Sequence, residues 1–470
     1  MDIKILLINP PFIYLEEPHA PHLGIINLGT ILEHHGFEIR ILDINAEKEY
    51  GDNFLPNPLT PKEFLNQYGK YDPDLVGISS VTENYPITLK IARMCKRENP
   101  NIKIFVGGYH TTFQAEECLR ENPIIDLVAL GEVEHVIADI IKGLIGKLEL
   151  NKIDNIKYRD KGIIKTSHRV SLPDLSKIPS PNLDLIKHKK YPSFSPQVEF
   201  SRGCPFHCIF CCQSPVTERR VRYFPAKRVV DTLEAYQARF NSFSFDITDP
   251  TFLLDQKKVH LFLAEVKNRK MELRNWLFKT RVDLLTRDIL KELKKFNAGI
   301  SFIGVEDIHD SVLQAMGKQI TINQIERGVK ILKDLNYVVK ANFVIGLPSQ
   351  TKEHMLENIA YSHKFDHFDF TFISPFPGTP IFNHPEAFGL SILTKKWELY
   401  HGYEPVMESN VFSVEQQKEL RDLAWQHKAA IQLEREFSMI HPRSEWERLL
   451  ELGFPAWYEE WKEKYSTGWL

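Results

Sequence analysis

The sequence predicts an α/β protein in three parts: an N-terminal doubly wound, Rossmann-like domain, a partial (βα)6, TIM-like barrel, and a C-terminal helical domain. Three observations carry that prediction. Short apolar runs alternate with amphipathic stretches through the first third, the alternation resumes from Gln197 in six consecutive strand-helix units, and strand signals fade beyond Phe388. At 470 residues, 43% hydrophobic and 26% charged, the chain is long enough for each part to bury a core of its own. The expected boundaries are 1–146 for the first domain, 147–190 for a linker, 191–387 for the barrel and 388–470 for a helical cap.

In the first domain the strand-like runs are IKILLIN, FEIRILDI, DLVGISS, IKIFVGG and IDLVALG, separated by LGIINLGTILEHHG, PITLKIARMCKREN, TFQAEECLREN and EHVIADIIKGLI. Short apolar strands joined by amphipathic helices form a parallel sheet, because a parallel crossover needs a helix's length of chain. NIKYRDKGIIKTSH reads as a hairpin, and LPDLSKIPSPNLDLIKHKKYP, punctuated by prolines, as a linker. The barrel strands are QVEFS, FSFDI, NWLFKT, GISFIG, VKANFVIG and FDFTFIS, with helices such as AKRVVDTLEAYQARF and TINQIERGVKILKDL between them. Right-handed crossovers curl such units into an open barrel whose chemistry lies on the loops at the C-terminal ends of its strands. SVEQQKELRDLAWQHKAAIQLEREF is helical with charges on one face, and five of the seven tryptophans follow Tyr400. A cap packed on the barrel is one reading of that region; an aromatic wall around a bulky substrate is the other.

The formal charge of −3 has no polybasic stretch behind it, so a nucleic acid and an anionic membrane are not expected partners, and a small-molecule or peptide substrate is. The opening MDIKILLINPP is stopped by Pro10 and Pro11 well short of the roughly 18 residues of a membrane span and lacks a signal peptide's layout. A cytoplasmic location is expected. Thiols stay reduced there, so a local group of cysteines points to a metal site rather than a disulfide framework.

Such a group exists. SRGCPFHCIFCCQ holds Cys204, Cys208, Cys211 and Cys212, four of the chain's six cysteines, directly after the first barrel strand. A structural zinc site completed by His207 or Cys212 is one reading. Against it, no second ligand pair follows at the usual spacing, and a barrel needs no metal to fold. The other reading is a four-iron cubane held by three thiolates, which leaves one iron open to substrate. Cys95 and Cys118 fall on amphipathic helices and read as core; Cys212 reads as a bystander thiol.

C-x-x-x-C-x-x-C on the first loop of a partial barrel, with Phe210 before the last cysteine, resembles the radical S-adenosylmethionine (SAM) superfamily. The resemblance implies a 4Fe-4S cluster on Cys204, Cys208 and Cys211, with SAM chelated by the fourth iron. An electron from a reductase or flavodoxin-type donor then releases a 5′-deoxyadenosyl radical that abstracts hydrogen from an unactivated carbon. FDITDPTFLLD, FKTRVDLL, GVE, FVIGLP and SPFPGTP resemble further segments of the superfamily. They imply SAM contacts from Asp249, Arg281, Glu306, Gly346 and Pro348, with Phe210. Pro250 departs from the pattern, standing where many relatives carry a second acidic residue. For Arg281 and Glu306 a structural ion pair at the barrel rim is the alternative.

A doubly wound sheet binds its ligand at the C-terminal ends of its strands, where glycines let backbone approach a large cofactor. The loops there are NPPF, ISSVTENYP, VGGYHTTF and LGEVE, and neither G-x-G-x-x-G nor a P-loop appears. As a set they resemble cobalamin-binding domains fused ahead of radical SAM barrels, as in cobalamin-dependent radical SAM methyltransferase-like enzymes. No D-x-H-x-x-G is present, and the resemblance implies base-off cobalamin. Its tail would lie near Gly107, Gly108, Gly131 and Glu132, with Ser79 and Ser80 along it and Asn84 and Tyr85 at the lower cobalt face. His110 is the alternative lower ligand. The implied activity is methylation of an unactivated carbon through methylcobalamin. Methylation of phosphinate phosphorus, a non-methylating cyclase or ring-rearranging enzyme, and a non-catalytic corrinoid or electron carrier are the alternatives.

Overall fold

The structure, a computed structural model, describes residues 3–12, 20–46, 49–50, 56–57, 61–167, 170–186, 191 and 195–438. In the first domain, strands β1 (Lys4–Asn9), β2 (Glu38–Asp43), β3 (Leu75–Ser79), β4 (Lys103–Gly107) and β5 (Leu127–Ala129) run parallel in the order β2-β1-β3-β4-β5. Alternate side chains supply two cores, as the two-residue period of a strand requires. Leu6 and Ile8 of β1 enter one, and Ile5 and Leu7 the other. Cys95 and Cys118 are fully buried in the first of these, as expected of core thiols.

The expected end of this domain near Gly146 is corrected by the hairpin β6 (Ile156–Asp160) and β7 (Ile163–Thr166). It joins the same sheet, with β6 antiparallel to β5 and Leu127 opposite Tyr158. Ile156 and Tyr158 are buried while Lys157 and Arg159 are only half-buried, the alternation of an antiparallel strand with one covered face. The linker reading of 147–190 is corrected further along as well. Leu175, Ile178, Leu183 and Ile186 are buried in the barrel's core, and the Asn182 backbone N–H donates to Thr30 Oγ1 at 2.8 Å. Prolines bar this segment from a sheet, but its apolar side chains still need burial.

All six expected barrel strands form one parallel, open sheet in sequence order: β8 (Gln197–Val198), β9 (Asp246–Ile247), β10 (Trp276–Thr280), β11 (Ala298–Glu306), β12 (Val338–Ile345) and β13 (His367–Phe372). Aromatic rings fill the first half of its interior. Trp276 is fully buried and stacks on Phe245 at 5.3 Å, and its indole N–H is satisfied by the Phe296 carbonyl at 2.7 Å, as a buried indole requires.

The C-terminal part is not wholly helical. Leu390–Ile392 pairs antiparallel with Met407–Ser409, a short pair below the length at which periodicity is legible. The helix Val414–Ser438 follows and packs on β12 and β13 through Leu420, Ala424 and Ile431. Of the tryptophans after Tyr400, Trp425 is 51% exposed, and Trp446, Trp457, Trp461 and Trp469 lie outside the described residues. Among the described residues no helix is long and apolar enough to cross a membrane.

Candidate functional site between the two parallel sheets

The chain order β2-β1-β3 reverses direction at β1, the position where a doubly wound sheet opens its ligand crevice. A cavity of about 370 Å³ starts there. Its floor is one face of the sheet, made by Leu7, Gly77, Ser79, Phe105, Gly107 and Ala129, and the helix Leu23–His34 roofs it through Gly24, Ile25 and Leu28. Small residues open this slot. A Cβ on Gly77 would overlap the Phe105 ring and reach Leu7 at 2.8 Å. Gly108 has φ +117°, and a side chain there would overlap the Ser80 carbonyl. Gly131, at φ +66°, turns the loop after β5 with open space beside it. A slot floored by backbone and small side chains fits the tail of a large cofactor.

The opposite wall belongs to the barrel: Glu199, Ser201, Arg202, Gly203, Gln213, Thr248 and Pro250. Ser201, Arg202 and Gly203 among them form the neck of the cysteine loop. Ser201–Arg202 pairs antiparallel with Arg222–Tyr223, closing residues 203–221 into a loop. Gly203, at φ +100°, lets the strands meet, since a Cβ would overlap the Arg220 carbonyl. Further out, Ile209 is buried, with its N–H on the Met316 carbonyl at 3.1 Å and its own carbonyl accepting from Ile381 at 3.4 Å. Phe210 packs partly buried against the barrel core. So pinned, the loop leaves Cys204, Cys208, Cys211 and Cys212 half-buried.

Among the described residues no three His, Cys, Asp or Glu side chains converge as they would around a single ion. Burial raises Cys208, pushes Cys211 up to about 12 and Cys212 to about 11, and Cys204 and Cys208 lie in the electrostatic field of Cys211. Iron replaces the proton at a coordinated thiol, and Lys318 and Arg281 sit where they favour the thiolate of Cys208. The donor set fits a cluster held by three cysteines.

The barrel rim around this loop is made of paired charges. Glu306, at φ +66° at the end of β11, is buried and bonded through Oε1 to Lys318 Nζ at 2.7 Å, and Lys318 is itself only 5% exposed. Gly304 makes room for this pair: a Cβ there would overlap Glu306 and come within 2.6 Å of the Lys318 ammonium. Arg281, after β10, forms a two-bond pair with Asp283 at 3.0 and 3.1 Å and lies 3.7 Å over the ring of Phe206 on the cysteine loop. Gly346, at φ +89°, and the buried Pro348 follow β12. Asp249 is buried just past the end of the second barrel strand. Its carboxylate accepts the Phe200 N–H at 2.8 Å and the Ser201 hydroxyl, and burial raises it to about 7 against those bonds. It anchors the first strand beneath the cysteine loop.

An ion cluster joins the neck to the first domain. Arg202 reaches Glu132 at 2.9 Å, Glu134 at 2.5 Å and Glu199 at 2.8 Å, and Arg222, its partner across the neck, also binds Glu132. Burial works against the Arg202 charge, but the three carboxylates hold it well above its ordinary range. Tyr109 adds a bond to Gln213 at 3.0 Å.

The cobalamin-side residues divide. Ser79, Gly107, Gly108, Gly131 and Glu132 line the cavity. Ser80, fully buried, binds the Gly107 carbonyl through its N–H at 2.7 Å. Asn84, Tyr85 and His110 are not brought to the cavity wall. Asn84 accepts the Val81 N–H at 2.9 Å, and the Tyr85 hydroxyl accepts from Asn122 at 3.2 Å. His110 lies between the rings of Tyr85 and Trp397, at 4.2 and 4.9 Å, where burial lowers it to about 3. Sequence reasoning missed Lys318, Arg202, Arg222, Glu134 and Glu199, because a charged residue outside a motif carries no signal of its partner.

The B12 binding domain model matches residues 17–141 and the radical SAM superfamily model residues 198–361. The chain thus joins a B12 binding domain to a radical SAM domain, and the slot of the one and the neck of the cysteine loop of the other face one cavity. It is 29% identical over 425 residues to an uncharacterized methyltransferase of Pyrococcus horikoshii, covering 88% of this chain and 90% of that one. It is 27% identical over 369 residues to the anaerobic magnesium-protoporphyrin IX monomethyl ester cyclase of Rubrivivax gelatinosus, covering 75% of this chain and 65% of that relative. Among solved structures, the radical SAM methyltransferase TsrM from Kitasatospora setae, with cobalamin and a 4Fe-4S cluster bound, matches in fold with a TM-score of 0.68. That match covers 83% of this chain and 80% of the other at 17% identity.

Proposed function

We propose that the chain methylates an unactivated carbon of a small molecule or peptide, with SAM as the source of both the methyl group and the radical. The observation that carries this reading is the single cavity walled by the cofactor slot of one domain and the cysteine-loop neck of the other. When bound, the cluster supplies the electron that cleaves SAM, and cobalamin supplies the methyl group. In this reading Cys204, Cys208 and Cys211 hold the cluster. Glu306, Arg281, Gly346 and Pro348 bind SAM beside it, and Lys318 fixes the Glu306 carboxylate. Ser79, Gly107, Gly108 and Gly131 hold the corrinoid tail by shape, and Asp249 keeps the cysteine loop on its strand. A flavodoxin-type donor in the cytoplasm would deliver the electron.

The test is anaerobic reconstitution with iron, sulfide and hydroxocobalamin, followed by reductant and methyl-deuterated SAM. The expected result is deuterium in the corrinoid fraction together with 5′-deoxyadenosine. Bound cobalamin without label but with 5′-deoxyadenosine would move the reading to a cyclase or ring-rearranging enzyme, like the Rubrivivax relative. No 5′-deoxyadenosine at all would leave a carrier.

A further inference from the structure

Directly after Glu306 stands Asp307, a carboxylate with no exposure to solvent that the reading above does not use. A buried carboxylate persists only where its lone pairs are taken up and its charge is balanced. Asp307 meets both conditions. Oδ2 accepts from Gln350 Nε2 at 2.7 Å and from Asn358 Nδ2 at 2.7 Å, and Oδ1 accepts the His309 N–H at 2.7 Å and faces His309 Nδ1 at 2.7 Å. Gln350 carries the contact onward. Its Oε1 accepts the N–H groups of Gly346 and Leu347 at 2.8 and 3.3 Å, and its amide nitrogen also binds the Val344 carbonyl at 2.9 Å. One carboxylate thus ties the tip of β11, which bears Glu306, to the tip of β12, which bears Gly346.

The only cation-forming group on Asp307 in this network is His309, whose side chain is 18% exposed. From the helix Lys352–Tyr361, Glu357 faces its Nε2 at 2.8 Å and His354 stacks on its ring at 4.0 Å. As an imidazolium it donates to both carboxylates; as a neutral ring it donates to one. Burial works against the charge, but the bonds to Glu357 and Asp307 outweigh it and raise the histidine above its ordinary range.

We infer that Asp307 and His309 are positioning residues for the SAM site: Asp307, through Gln350, holds the loops of Glu306 and Gly346 in one register, and the His309 proton makes that hold depend on pH. The inference rests on the assignment of this rim to SAM. The full network is present below the raised His309 value and loses one of its two charged contacts as pH rises through it.

The experiment is SAM binding by the cluster-reconstituted enzyme, measured by equilibrium dialysis from about pH 6 to about pH 9, a range that spans histidine titration. Wild type is expected to lose affinity with rising pH, and His309→Gln to give a flat profile. Asp307→Asn is expected to bind about tenfold more weakly at all pH, the size of one lost charge-assisted hydrogen bond, with iron content unchanged. His309 is only half-buried, so His309→Gln keeps the inference testable if Asp307→Asn fails to fold. A His309→Gln profile that follows wild type overturns the inference. Glu306→Gln separates the two layers. If it binds SAM like wild type, the assignment of the rim fails; if it alone loses affinity, the positioning inference fails by itself.

Discussion

The two walls of the cavity are made of different material. The first domain offers Gly77, Ser79, Gly107, Gly108 and Gly131, and its carboxylates Glu132 and Glu134 are committed to arginines of the barrel. The barrel offers paired charges, Glu199 with Arg202 on the cavity wall and, on the rim around the cysteine loop, Glu306 with Lys318 and Arg281 with Asp283. A wall of backbone recognises bulk by leaving room for it, so added volume damages it. A wall of buried ion pairs recognises charge, and each member depends on its partner.

The largest effect separates the cysteines from everything else. Alanine at Cys204, Cys208 or Cys211 is expected to abolish cluster content and SAM cleavage, whereas Cys212→Ala keeps the iron; elemental analysis and the visible spectrum read both. Next come the paired charges of the barrel. Lys318→Met strands the buried Glu306 carboxylate, a loss of about 3–5 kcal/mol in stability, visible as a lower denaturation midpoint before any cofactor is added. The smallest effect tests the backbone wall. A Cβ on Gly107 meets only Ala129, at 3.4 Å or beyond, so Gly107→Leu is expected to fold normally and weaken cobalamin binding about tenfold, in line with the roughly 1–3 kcal/mol of overfilling a packed site. Spectral titration with hydroxocobalamin measures it. Unchanged affinity would show that the slot is not where the cofactor lies.

Long periodic segments were legible in the sequence: all six barrel strands and the five parallel strands of the first sheet stand where the apolar runs lie. The hairpin Ile156–Thr166 was legible as a hairpin but not as part of that sheet, because sheet membership is decided by a partner about thirty residues away in the chain. The three cysteines were legible because their spacing is local, and the glycine loops because φ above zero favours one residue type. Lys318 was not, since its position is set by Gly304 and Glu306 on another element. Asp249 shows a related limit: the motif names the residue but not the Phe200 N–H and Ser201 hydroxyl from which its carboxylate accepts.

The ion cluster at the neck also bears on how freely such domains can be exchanged. Arg202 and Arg222 belong to the barrel, and Glu132 and Glu134 to the sheet domain, with the Arg202, Glu132 and Glu134 side chains each at most 13% exposed. A chimera that joins this barrel to the corrinoid domain of a relative inherits two arginines that need two acids in one particular loop. The seam between the modules is therefore an electrostatic lock, and grafts succeed in matched sets of four residues rather than at any convenient linker.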